Sequence, residues 1–261
     1  MLKRPRSIQH LVRRVNVNVL GLNKNKRRQF FSTQGQRLII TEPPLHVEIE
    51  RPCTVLLLED DSLYPSSWSD LMTSTIPSDF GMSCGTIEIP TDSQETFQDR
   101  VDYLKWSLLG IPDAMLIARG PIASWTAQLY LESFSLIGLV AVDPILMDRP
   151  RGSVEDQAIL HLLDTLQSTM KKQDTELLRR VLNGEEGRRL KLEPGPCPLL
   201  FTVSMSEDIF VETTKHSSQR HESDESPFGP PSFLDISEAS SATNENDLLV
   251  ALSDWVDDHV L

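Results

Sequence analysis

Short apolar runs, each too short for a buried helix and most of them followed by helix-forming sequence, constrain this chain more than any other feature. Cys53–Leu58 (CTVLLL), Cys84–Ile89 (CGTIEI), Ala114–Ala118 (AMLIA), Ile137–Val142 (IGLVAV) and Cys197–Met205 (CPLLFTVSM) recur along the sequence. A run of this length without polar alternation suits a strand covered on both faces. Between the runs lie stretches with helical spacing. Ser66–Met72 starts at a serine suited to capping. Ser93–Leu109 places Phe97, Val101, Leu104 and Leu108 on one stripe and stops at Gly110-Ile-Pro112. Ile122–Glu132 and Asn246–Val260 follow the same logic, the latter burying Leu248, Leu249, Leu252, Trp255 and Val256. Strand and helix alternating at this spacing predict an α/β fold with a mainly parallel sheet flanked by helices.

The flanks add detail. Arg37–Glu50 reads as two short strands around Pro43-Pro44, with His46 on a solvated strand face. Residues 145–196 carry two helices, Val154–Lys171 and Thr175–Asn183, which form a small lid. Its stripe Ile159, Leu162, Leu163, Leu166 and Met170 is core-like. Glu212–Pro231 is rich in Ser, His and Glu and predicts a mobile loop. Phe233–Ile236 is a last short strand. Cys53, Cys84 and Cys197 show neither metal spacing nor a disulfide framework, and each reads as a small buried hydrophobe. No apolar run approaches the length needed to cross a bilayer, so no transmembrane helix is expected.

Charge divides the chain. Residues 1–41 hold ten lysines and arginines and no acid, so the rest is considerably more acidic than the overall net charge of −13. An acidic body repels phosphate backbones, which argues against nucleic-acid binding through it. The basic, Ser/Thr-containing start has the composition of a mitochondrial transit peptide. Ile8, Leu11, Val12, Val15, Val19 and Leu22 recur at helical spacing among arginines, as in a basic amphipathic helix. Arg28-Gln-Phe-Phe-Ser-Thr33 resembles the two-step processing pattern, in which a cut after an arginine is followed by removal of an octapeptide. Residues 1–37 would then be the address and 38–261 the mature domain, in the mitochondrial matrix. Two alternatives stay open: a plastid address, and a retained basic arm that binds RNA or ribosomes.

From about Val47 onward the element order resembles the α/β-hydrolase fold. Thr54–Leu71 (TVLLLEDDSLYPSSWSDL) is similar to that family's strand, His-Gly turn and Ser/Trp helix start. Asp113–Pro144 is similar to its strand, nucleophile elbow, Ala-Gln helix and Asp-ended strand. Pro198–Val211 is similar to the strand that delivers its catalytic acid. The resemblance implies four parts at the carboxyl edge of the sheet: a nucleophile, a base, an acid and oxyanion donors.

Against that pattern the sequence is incomplete. Aligned by the strand, the nucleophile column is Gly120; aligned by the helix, it is Pro121. Neither can attack a carbonyl. Ser124, the nearest hydroxyl, falls inside the first helical turn and faces the sheet. No histidine stands near Ile236–Glu238, where the base belongs. His259 ends the closing helix, and His161, His216 and His221 read as solvated. Asp208 occupies the acid column. The oxyanion turn reads Glu59-Asp60-Asp61, whose carboxylates oppose a developing oxyanion. A vestigial pocket of Glu59, Asp60, Arg119, Gly120, Pro121 and Asp208 is therefore expected, with Arg119 paired to one of the carboxylates. No catalytic residue, metal or cofactor follows from the sequence; a divalent ion on Glu59, Asp60 and Asp61 is a rival to the ion pair. The resemblance implies a protein that has lost triad chemistry and binds a protein partner or serves as a scaffold. The alternative is an atypical hydrolase or lyase of the same superfamily acting on a small ester or acyl substrate.

Overall fold

In the middle of the sheet burial is continuous; at its margins it alternates. Every residue of Gly138–Val142 and Leu199–Val203 is buried, whereas Leu38–Thr41 and Ser232–Asp235 bury every second residue more deeply. The first pattern belongs to strands sandwiched between helices, the second to strands near an edge. The computed structural model describes residues 28–31, 38–59, 67–88, 96–144, 160, 161, 163, 164, 172–183, 185, 195–205, 208–222, 225–237 and 241–260.

Among these, eight strands form one sheet: β1 (Arg28–Phe31), β2 (Leu38–Thr41), β3 (Thr54–Glu59), β4 (Ser83–Ile87), β5 (Ala114–Arg119), β6 (Gly138–Val142), β7 (Leu199–Val203) and β8 (Ser232–Asp235). Their order is β1-β2-β4-β3-β5-β6-β7-β8. β2 runs antiparallel to both β1 and β4, and all other pairs are parallel. The helices are α1 (Ser67–Asp79), α2 (Phe97–Leu108), α3 (Pro121–Leu131), α4 (Lys172–Asn183), α5 (Asp208–Arg220) and α6 (Ser241–His259). α2 starts at a capping box, in which Thr96 and Asp99 satisfy each other's backbone N–H groups. Among the described residues no helix is long and apolar enough to cross a membrane.

Two cores cover the two faces. Leu56, Leu58, Leu116 and Ala118 meet α2 and α3 through Val101, Leu104, Ala123 and Ala127. Val55, Leu57, Met115 and Ile117 meet α1 and α6 through Trp68, Met72, Leu252 and Val256. Each fully buried Leu or Val side chain contributes about 1.5–3 kcal/mol relative to exposure. The strand order reverses between β3 and β5, because β4 adds on one side of β3 and β5 on the other. In an open α/β sheet the crevice at such a reversal, at the carboxyl ends of the strands, is where ligands bind. Glu59 and Arg119 end those two strands and face each other in register.

Four features differ from the sequence reading. Of Arg37–Glu50 only Leu38–Thr41 is a strand; residues 42–50 are turn and irregular backbone, so His46 is exposed in a turn rather than on a strand face. Residues 28–31 form β1, paired to β2 from Arg28↔Thr41 to Phe31↔Leu38, so the sheet begins inside the segment assigned to the address. The expected loop at 212–231 is instead helical as far as Arg220, continuing α5. Phe210, Thr213, Thr214 and Ser217 of that helix are buried. The Thr213 and Ser217 hydroxyls donate to carbonyls four residues back, at 2.6 and 2.9 Å, which lets polar residues line a buried face. Finally, His221 is buried rather than solvated, stacked on Phe201 with ring centroids 5.8 Å apart.

Candidate functional site

The turn from β5 into α3 decides the chemistry. Gly120 sits there at φ 96° and ψ 167°, a conformation open in practice only to glycine. Its N–H donates to Val142 O (2.9 Å) and its carbonyl accepts from Ser124 N (2.9 Å). Pro121 follows as the first helical residue, where a missing N–H costs nothing. Of the two sequence alignments, the strand-based one therefore places the sharpest residue of the turn: Gly120 occupies it, and Pro121 opens the helix. Ser124 lies where the sequence puts it, fully buried and turned into the sheet. Its hydroxyl lies 3.0 Å from Ala118 O and 3.3 Å from Val142 O, sharing one proton between strand carbonyls.

Arg119 projects beside the turn. Its guanidinium carbon lies 4.7 Å from the centroid of the Trp68 ring. Trp68, in the first turn of α1, is 1% exposed, so the cation has an aromatic floor. The sequence contains no local signal for this contact. The register places Glu59 across from Arg119; the Glu59 side chain and all of Asp60 and Asp61 lie outside the described residues. The third expected partner is a correction. Asp208 is exposed at the first position of α5, and none of the ion pairs among the described residues joins it to Arg119. A carboxylate at a helix start is stabilised by the helix dipole without any arginine.

A second carboxylate at this edge was missed by the sequence reading except as the end of a strand. Asp143 follows β6 at φ 49°, is wholly buried, and accepts from Ser204 N (2.6 Å), Met205 N (3.1 Å) and Ser204 Oγ (2.5 Å). Its own N–H donates to Thr202 O (2.9 Å). Aspartate tolerates the left-handed backbone better than most side chains. Asp143 thus ties the end of β6 to the segment leaving β7, next to the Gly120 turn.

A third apolar cluster includes residues of the helix that the turn opens. Ile122 and Trp125 of α3, Phe97 of α2, Val203 at the end of β7 and Phe210 of α5 pack with Leu163, Leu177, Leu178 and Val181 of the lid. Leu163 therefore serves as core, as its stripe implied; Ile159, Leu162, Leu166 and Met170 lie outside the described side chains. Trp125 meets Phe97 edge-on at 6.2 Å. A buried ion pair fastens the lid to the body: Arg100 Nη2 of α2 lies 2.9 Å from Asp174 Oδ1 of α4, with side chains 7% and 4% exposed.

Histidines and cysteines stand elsewhere. His46, His161, His216 and His259 are exposed. After β8 come Ile236 and Ser237, and Ser237 donates through N–H (3.0 Å) and hydroxyl (2.6 Å) to Asp235 rather than to a base. Burial pushes the Cys53 and Cys197 thiols up to about 12, and Cys84 higher still, so none offers a thiolate near neutral pH.

No family model matches the sequence, and no curated protein matches it. Solved structures do. The Francisella virulence factor BioJ superposes with a TM-score of 0.61 at 7% identity, covering 90% of this chain and 85% of that one. A thermostable esterase from Pseudomonas putida gives 0.59 at 8% identity, covering 90% and 83%. The esterase domain of a Rhodothermus marinus protein gives 0.56 at 16% identity, covering 90% and 99%. The chain has the α/β-hydrolase fold.

Proposed function

We propose that this α/β-hydrolase-fold chain does not run Ser-His-acid chemistry and works as a binding or scaffold protein of the mitochondrial matrix. One observation carries the reading. The residue in the glycine-only conformation of the elbow is Gly120, while the nearest serine hydroxyl, on Ser124, is spent on strand carbonyls. A nucleophile needs an oxygen at that turn and a base within reach of it. Here the turn carries backbone and a proline ring, and Ile236–Glu238, just after β8, brings no imidazole.

A protein partner is the ligand class we favour, because the sequence beyond residue 41 is strongly acidic and carries no complete triad. The localisation rests on the composition of residues 1–41.

A second reading draws on the Asp143–Ser204 pair and on the esterases that share the fold. In it Ser204 is the reacting hydroxyl, on a small ester or acyl substrate. The three donors converging on Asp143 favour a brace over this role.

The test is turnover of short-chain p-nitrophenyl esters by the purified protein beside its Ser204→Ala variant. The proposal expects both to match buffer. Turnover that Ser204→Ala abolishes would replace it with the second reading. Mass spectrometry of the chain recovered from mitochondria tests the address: a start near Leu38 is expected, and an intact N-terminus argues for a retained arm.

A further inference from the structure

The processing pattern and the first strand occupy the same residues. Counting an octapeptide back from Leu38, the first cut falls at the Gln29–Phe30 bond. That bond lies in the middle of β1, where Gln29 pairs with Ile40 and Phe30 with Ile39. The second cut falls at Leu38, the first residue of β2 and the partner of Phe31. A peptidase needs its scissile segment free of backbone pairing. In the folded chain the Gln29–Phe30 bond lies within a hydrogen-bonded ladder, and Leu38 stands at the end of it.

We propose that β1 is a temporary strand that shields the processing site once the chain has folded. Cleavage is then confined to the unfolded, importing chain. The order of the two events selects between two proteins. A chain cut first folds without β1 and without its basic arm. A chain that folds first keeps an eight-stranded sheet and keeps the arm. This inference rests on reading residues 1–37 as an address.

The geometry permits both forms. β1 is terminal in the sheet and pairs on one side only, so its loss leaves the order β2-β4-β3-β5-β6-β7-β8 intact. Leu38 and Ile40 of β2 remain buried in the core that β3, β5, α2 and α3 share, and β2 still pairs with β4 from Ile39↔Thr86 to Thr41↔Cys84. A four-residue edge strand opens more readily than the centre of the sheet, so protection is partial and measurable as a rate. Where opening is fast relative to cleavage, that rate follows the population of the open form.

The experiment uses the full chain and purified matrix processing peptidase. One portion is folded; the other is unfolded in urea and diluted directly into the peptidase, with an unrelated precursor in each tube to report peptidase activity. The expected result is a cut at Gln29–Phe30 in the diluted chain and a rate at least about tenfold lower in the folded one. Equal rates on both portions would overturn the shielding while leaving the address intact. No cut in either portion, with the control precursor cleaved, would overturn the address and the shielding together.

Discussion

Replacing Asp174 by asparagine removes one charge from the only link between α2 and the lid helix α4 that the described ion pairs provide, and it does so without altering side-chain volume. Arg100 and Asp174 meet at 2.9 Å with side chains 7% and 4% exposed, so water cannot take over when the carboxylate is gone. Breaking a buried pair from one side costs about 3–5 kcal/mol, because the remaining charge loses its buried counter-ion. For a domain of this size that is a loss of roughly 6–20 °C in melting temperature. Replacing both partners with hydrocarbon, Arg100→Met with Asp174→Leu, removes the buried charge and extends the apolar cluster around Leu177 and Leu178. That variant should stand within about 1 kcal/mol of the parent or above it. Urea unfolding of the parent, Arg100→Met, Asp174→Leu and the double variant gives the coupling directly. A cost under about 1 kcal/mol for Asp174→Asn would mean the pair is solvated, and the view of α4 fastened to α2 by a buried ion pair would fail.

Four further outcomes follow from the same structure. Gly120→Ala forces a side chain into φ 96°, ψ 167° and should cost about 1–3 kcal/mol in urea unfolding; an unchanged midpoint would show that the turn carries no strain. Ser124→Ala removes a buried hydrogen bond whose acceptors keep backbone partners, so the loss should be about 1 kcal/mol, with ester turnover unaltered. Cys53, Cys84 and Cys197 should resist iodoacetamide at pH 8 until the chain unfolds, when all three react. Because burial raises their pKa values, to about 12 for Cys53 and Cys197, the native state keeps protons that the unfolded state releases. Their contribution to stability is complete below the ordinary thiol range and should decline as pH rises from there towards 12. A urea midpoint that rises between pH 8 and pH 10 would contradict this sign.

What the sequence revealed, and what it hid, follows from how each element is stabilised. β3, β5, β6 and β7 were legible because both faces are covered and nearly every residue had to be apolar. α5 was not: Asp208–Arg220 has three consecutive apolar residues and then threonine, serine and histidine, and it buries Thr213 and Ser217 by turning their hydroxyls onto its own carbonyls. β1 was hidden by composition, since RQFF in a basic leader reads as address before it reads as strand. At the site, the vacancy at Gly120 and the inward turn of Ser124 were legible because strand and helix periodicities meet there. The Arg119–Trp68 stack and the Asp143–Ser204 bond join residues far apart in sequence, and only the folded sheet edge brings them together.

The most direct measurement is labelling of the purified protein with a fluorophosphonate probe, read by intact mass. The expected result is an unmodified mass at a probe excess that saturates an active esterase run in parallel. Stoichiometric addition of one probe, lost on Ser124→Ala or Ser204→Ala, would contradict the claim that this hydrolase fold carries no activated hydroxyl.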